Sequence, residues 1–158
     1  MRKTFDNLRG DSVQLKEAKD ALYSVQKDLE MYEEFGDLET EEDKISTICD
    51  SWYDSLDDII EKTIHIRDLP PFNHYGLSFD FVELGSFEDQ DEPYFRYQIA
   101  YGGPTHEIRF YETGLIEFVW LHWFVGIGFD ISNESWAKWL HDYFEDIGML
   151  NWEDKSND

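Results

Sequence analysis

The spacing of the apolar residues changes at Pro70-Pro71, and that change limits the fold more than any other feature of the chain. Proline lacks a backbone N–H and fixes φ, so two in a row end a helix. Before them, Leu15, Ala18, Leu22, Val25, Leu29 and Tyr32 alternate steps of three and four, the stripe of a helix over residues 12–33. Phe35-Gly36-Asp37 ends it, Gly being the usual residue past a helix end. Thr40 then reads as the cap of a second helix reaching Thr63, with Glu41, Glu42 and Asp43 in the first turn, where acids suit the helix dipole. Its apolar positions are Ile45, Ile48, Trp52, Leu56 and Ile59. The short connection predicts an antiparallel helical hairpin over 12–63.

After Pro71 the pattern becomes aromatic and alternating. Leu77 to Phe81, Tyr94 to Tyr101 and His106 to Glu112 read as half-buried strands. An acidic loop from Ser86 to Pro93 and a turn at Gly102-Gly103-Pro104 separate them. Leu115 to Val125 reads as a fourth strand, apolar on both faces and therefore central or covered on both sides. Ile116, Phe118, Trp120 and Phe124 fall on one face; Val119, Leu121, Trp123 and Val125 fall on the other. Ser132 or Asn133 caps a closing helix with the stripe Trp136, Leu140, Tyr143 and Ile147, and the polar tail after Trp152 reads as frayed. The expectation is one α+β domain over 1–158: the hairpin, a four-stranded antiparallel meander and a closing helix, the last two occupying 75–149.

Charge decides which partners are open to such a domain. Thirteen Lys and Arg face 36 Asp and Glu, a formal charge of −23. That field repels nucleic acid and anionic membranes and speeds encounter with cationic surfaces. Aromatic residues make up 17%, which separates the chain from disordered acidic segments. The acid is also concentrated. Residues 1–27 hold six Lys/Arg and four Asp/Glu, whereas residues 28–62 hold fourteen Asp/Glu and two Lys. No apolar run is long enough for a membrane span, and Arg2-Lys3 has no apolar stretch behind it, so a cytoplasmic location is expected, the host cytoplasm if the chain is phage-borne.

Catalytic signatures are absent: no phosphate-binding loop, dinucleotide fingerprint or serine elbow occurs. His65, His74, His106, His122 and His141 show no metal-ligand spacing, and the lone Cys49 lies among acids that suppress its thiolate. No metal, cofactor or enzymatic activity is expected. Asp80 and Glu117 are the carboxylates most enclosed by aromatic sequence, and Arg96 and Arg109 on neighbouring strands are read as their ion-pair partners. On the second helix, Asp43, Asp50, Asp54, Asp57 and Glu61 share one face opposite the apolar residues. Asp50, Asp54, Asp57 and Glu61 lie roughly 4.5–6 Å apart along the axis, a crude copy of a phosphate ridge. The other reading of this face is an ordinary solvated helix surface, although such a surface would intersperse Lys for i,i+4 pairing.

Tyr75 to Val82, Tyr94 to Gln98, Gly102-Gly103-Pro104, Glu107 to Phe110 and Trp120 to Phe124 together resemble a group of small accessory proteins carried by phages and plasmids. In size and charge the chain is also similar to antirestriction and anti-CRISPR inhibitors that mimic DNA. The resemblance implies an inhibitor of a bacterial defence complex. Its expected contact residues are the ridge Asp43, Asp50, Asp54, Asp57 and Glu61 and the loop acids Glu88, Asp89, Asp91 and Glu92. The expected partner is a basic nucleic-acid-binding protein or nuclease complex. Two other readings stand beside this one: an immunity protein or antitoxin covering a basic nuclease, and a small enzyme with a pocket of Tyr75, Trp120, His122 and Trp123.

Overall fold

The structure is a computed structural model of the chain, and it describes residues 11–35, 42–43, 46, 56–87, 90–123 and 125–156. Helix α1 spans Ser12–Phe35, two residues beyond the expected end. Its start is set by Asp11, whose carboxylate accepts the Gln14 amide N–H at 2.7 Å while the Gln14 side chain accepts the Asp11 N–H at 3.0 Å. This reciprocal box satisfies two amides that the first turn would otherwise leave without partners. The expected stripe faces inward, with Ala18, Val25, Leu29 and Tyr32 buried.

Helix α2 spans Leu56–Asp68, five residues past the expected end at Thr63. Asp57 and Asp58 in its first turn and His65 and Arg67 in its last both suit the helix dipole. Pro70 then stops it, because the residue before a proline is pushed out of the helical region. The connection is drawn into the core rather than left as a linker. The Tyr32 hydroxyl bonds the Pro70 carbonyl. The Phe72 ring meets Tyr32, Trp139 and Tyr143 edge-on at 5.1, 5.1 and 4.6 Å.

Five strands follow in a simple antiparallel meander: β1 Ser78–Val82, β2 Tyr94–Ala100, β3 Thr105–Phe110, β4 Ile116–His122 and β5 Val125–Asp130. Four strands were expected. The segment Leu115 to Val125 is not one strand, because the chain reverses after His122 and pairs His122 with Val125. Trp123 enters the reversal at φ 56°. A two-residue hairpin turn needs positive φ, normally supplied by Asn or Gly. Tryptophan gives no such signal, and its left-handed backbone costs roughly 1–2 kcal/mol. The expectation of double-sided burial holds for Ile116 to Trp120, which are all buried, but the second face there carries Glu117 beside Val119.

Helix α3 spans Ser135–Asp146 and lies with α1 over one sheet face. Its buried residues are Trp136, Ala137, Leu140 and Phe144. Ile147, expected on this stripe, is exposed, and Phe144 takes the core position. The expected caps also differ. Glu134 occupies the cap position without a side-chain bond, and Ser132 instead accepts the Ile116 N–H and donates to Asp130. Gly148 at φ 79° ends the helix: its N–H reaches the Glu145 carbonyl and that of Met149 reaches Phe144. The tail is not frayed over Trp152–Ser156, which forms a short helix α4. Trp152 lies edge-on to Phe95 at 4.8 Å and Phe81 at 5.9 Å.

The expected helical hairpin is only partly in view. The buried face of α1 is occupied by the sheet and α3. Helix α2 meets α1 through the small cluster Met31, Phe35 and Ile66. Lys27–Glu61 at 2.9 Å and Lys62–Glu34 at 3.4 Å add ion pairs. Leu56, expected to face the partner helix, is 70% exposed. The connection that would make a hairpin, residues 36–41, lies outside the described residues.

Gly76 marks the tightest approach between the β1 entry and the core. A Cβ built there would stand 2.1 Å from the ring of Tyr97, itself buried. Gly76→Ala must displace that ring, so a loss of about 1–3 kcal/mol is expected by urea unfolding. A variant within about 0.5 kcal/mol of the parent would show that the ring has room to move.

Candidate partner-binding surface

The meander sorts the connections to two ends. The β1–β2 loop and the β3–β4 turn lie at one end; the β2–β3 and β4–β5 turns lie at the other. The first end is acidic: Glu83, Asp91 and Glu112 are exposed, and Glu92 is half-buried. Gln90 holds this loop in shape. Its side-chain carbonyl accepts the Ser86 and Phe87 N–H groups at 3.1 and 3.3 Å, and its amide donates to the Val82 and Glu92 carbonyls. Glu88 and Asp89 lie outside the described residues.

The expected ridge is only partly in view. Asp43 has helical backbone and is exposed, and Asp57 is exposed in the first turn of α2. Asp50 and Asp54, like Cys49, lie outside the described residues. Glu61 is exposed but engaged. The Lys27 ammonium donates to it at 2.9 Å, which holds the Glu61 carboxyl below its ordinary range and raises Lys27. Glu61 therefore helps to dock α2 on α1, a use the helical wheel could not reveal.

Acids missed by the sequence reading lie at the helix ends. Asp142, Glu145 and Asp146 are exposed at the C-terminal end of α3, with no basic residue in its last turn. Glu34, in the last turn of α1, is matched by its ion pair with Lys62. Negative charge at a helix C-terminus opposes the dipole, at about 0.3–1 kcal/mol for each exposed group. Of the described cations, Lys16, Lys27, Lys62, Arg96 and Arg109 are in ion pairs within the chain, while Lys19 and Lys138 are exposed.

Across the sheet face opposite α1 and α3 runs a row of ionisable residues, one per strand. Asp80 pairs with Arg96, Arg96 with Arg109, Arg109 with Glu117, and Glu117 with Asp130. Asp80 takes two hydrogen bonds from Arg96, at 3.0 and 2.7 Å, as the sequence reading expected. Arg109, opposite Glu117 in the register, donates to Glu107 at 2.7 Å and stacks its guanidinium 4.4 Å over the Tyr94 ring. Glu117 accepts the Tyr111 hydroxyl at 3.2 Å. Glu107, Arg109 and Glu117 are 1, 3 and 0% exposed. Burial works against the charged guanidinium of Arg109, and Glu107, Tyr94 and Tyr111 more than offset it. Burial also pushes the Tyr94 hydroxyl up to about 12. Strand alternation from Arg109 could have placed Glu107 on this face.

Of the residues named for an enzymatic pocket, Trp120, His122 and Trp123 stand ring beside ring at 5.7 and 6.3 Å, with Trp120 buried and Trp123 87% exposed at a turn tip, while the Tyr75 hydroxyl is given to Asp28 at 2.7 Å. His65 Nε2 stands 2.9 Å from the other oxygen of Asp28, so a histidine and a tyrosine share one carboxylate of α1. This cluster ties α2 and the Pro70-Pro71 connection to α1. Among the described residues no group of three His, Cys, Asp or Glu is arranged to hold a metal ion, and no helix is long and apolar enough to cross a membrane.

No protein-family model, curated protein or solved structure matches this chain.

The buried pair supplies a test of what holds the sheet. Arg109→Met leaves Glu107 buried without its cation, and a loss of about 3–5 kcal/mol is expected in urea unfolding. Adding Glu107→Leu should recover a large part of it, because the stranded charge is then removed as well. A single variant costing under about 1 kcal/mol would show that solvent reaches the pair.

Proposed function

We propose that the chain is an acidic inhibitor that occupies the nucleic-acid-binding groove of a basic protein, in the manner of anti-CRISPR and antirestriction proteins. The observation that carries this reading is the placement of acids where they harm the fold. Asp142, Glu145 and Asp146 oppose the dipole of α3. Charge needed only for folding would be placed at the other helix end. Charge selected for solubility alone would gain nothing from sites that cost stability. A surface selected to meet Lys and Arg explains that cost.

The mechanism is occlusion. The field of −23 steers the chain to a cationic groove, and carboxylates of α2, α3 and the β1–β2 loop pair with the groove's Lys and Arg. Nucleic acid, repelled by the same field, cannot enter. A defence nuclease or CRISPR effector has the required chemistry, because it must hold a phosphate backbone.

Two outcomes are expected. The chain alone shifts neither duplex nor single-stranded DNA or RNA in low-salt gels; a shift at micromolar concentration would overturn the reading. Second, the Asn/Gln variant of Asp57, Asp91, Asp142, Glu145 and Asp146 keeps its fold, the dipole support lost at Asp57 being offset by the repulsion relieved at Asp142, Glu145 and Asp146. The same variant loses its ability to displace DNA from purified CRISPR effectors and restriction enzymes. Exposed pairs contribute up to about 1 kcal/mol each, so five losses weaken inhibition by orders of magnitude. Parent inhibition should also fall as salt rises. A neutralised variant that competes as well as the parent, at low and high salt, would remove these acids from the contact.

A further inference from the structure

The end of the sheet away from the acidic loop has the opposite character. Its described strand ends and turns are residues 76–78, 99–106, 121–123 and 125–126, and these contain no Asp or Glu in a chain that has 36. Thr105 pairs with Leu121, which sets the β2–β3 and β4–β5 turns side by side. Among the described residues, each turn presents an aromatic ring to solvent: Tyr101 is 78% exposed and Trp123 is 87% exposed. Leu77, at the start of β1, is 62% exposed at the same end. The His122 ring stands beside that of Trp123, 6.3 Å between centroids.

Turn chemistry does not account for Trp123. Its backbone is left-handed at φ 56°, where Asn or Gly would be easier, and its side chain is nearly unburied. A large ring held in a disfavoured backbone conformation and facing water serves something outside the described fold.

We propose that this end of the sheet is a self-association surface, through which two copies of the chain meet turn to turn. The occupant follows from charge. Two bodies of −23 repel one another, and contact is least opposed where the touching segments carry no carboxylate. The arrangement is self-complementary about a two-fold axis: Trp123 of each copy meets Tyr101 of the other, giving two equivalent aromatic contacts. Buried aromatic side chains cover about 150–250 Å² each, so two rings supply roughly half of the 800 Å² per partner usual in stable complexes. The dimer is therefore weak and concentration-dependent. Its salt response is opposite to that of the acidic surface. Added salt screens the repulsion between copies and strengthens the dimer, whereas it weakens binding to a basic groove. The inference does not rest on the inhibitor reading, and either can fail alone.

The test is sedimentation of the whole chain from about 1 µM to 1 mM, at ionic strengths of about 0.01 M and 1 M. The parent should move from monomer toward twice the monomer mass as concentration rises, at lower concentration in high salt. Trp123→Asn suits the left-handed turn, so it should fold at least as well by circular dichroism and shift the association midpoint upward at least tenfold. Tyr101→Ser, on the neighbouring turn, should do the same and carries the test if the first variant fails to fold. A parent that stays monomeric at about 1 mM in high salt overturns the proposal. So does association that weakens with salt, or folded variants of either kind that associate like the parent.

Discussion

Phe72, Phe79, Phe95, Tyr97, Phe110 and Phe144 touch ring to ring where the sheet, α3 and the Pro70-Pro71 connection meet. Everything else depends on this seam. A chain of −23 is pushed toward expansion by its own charge, and only a dense apolar interior can oppose that push. Aromatic side chains bury more area per residue than aliphatic ones, and edge-to-face contacts add to it. The seam also explains why the two prolines do not create a loose linker. Phe72, directly after them, is seated between Tyr32 of α1 and Trp139 and Tyr143 of α3.

One sheet face is sealed by α1 and α3, and the described acids are of two kinds. Glu107 and Glu117 are buried beside Arg109, Tyr94 and Tyr111, and take hydrogen bonds that fix their geometry. Asp57, Asp91, Asp142, Glu145 and Asp146 face solvent. The first kind is structural, since a buried carboxylate must be matched within the fold. The second is available to a partner. Net charge cannot separate the two, because it counts an acid held by Arg109 and an acid in water alike.

Much of the fold was legible because local periodicity and local chemistry agreed. The stripe from Leu15 to Tyr32 and the Asp11–Gln14 box define α1, and Pro70 ends α2. Strands β1 to β3 follow alternation bounded by Gly and Pro. The fifth strand was illegible because Trp123 carries no turn signal, and a continuous apolar run hides the reversal. Ile147 and Phe144 exchanged roles because a helical stripe is wide enough for either, and α3 turns Phe144 toward Phe79 and Tyr97. The tail is held by Trp152, whose contacts with Phe81 and Phe95 span more than fifty residues of sequence.

By itself, the sequence determined the α+β class, the antiparallel meander, the inward stripe of α1 and the overall charge. These follow from backbone sterics, side-chain periodicity and composition, which act over a few residues or over the whole chain without regard to shape. Only the tertiary structure decided which carboxylates are consumed. Glu61 is tied to Lys27, Asp28 to Tyr75 and His65, and Glu107 to Arg109. It also decided that the loop acids Glu83, Asp91 and Glu112 and the exposed rings Tyr101 and Trp123 lie at opposite ends of the sheet. The reason is that ion pairing and exposure depend on which surfaces meet when α1, α2 and α3 settle around the sheet. Long-range contacts set that arrangement, and no local pattern encodes it.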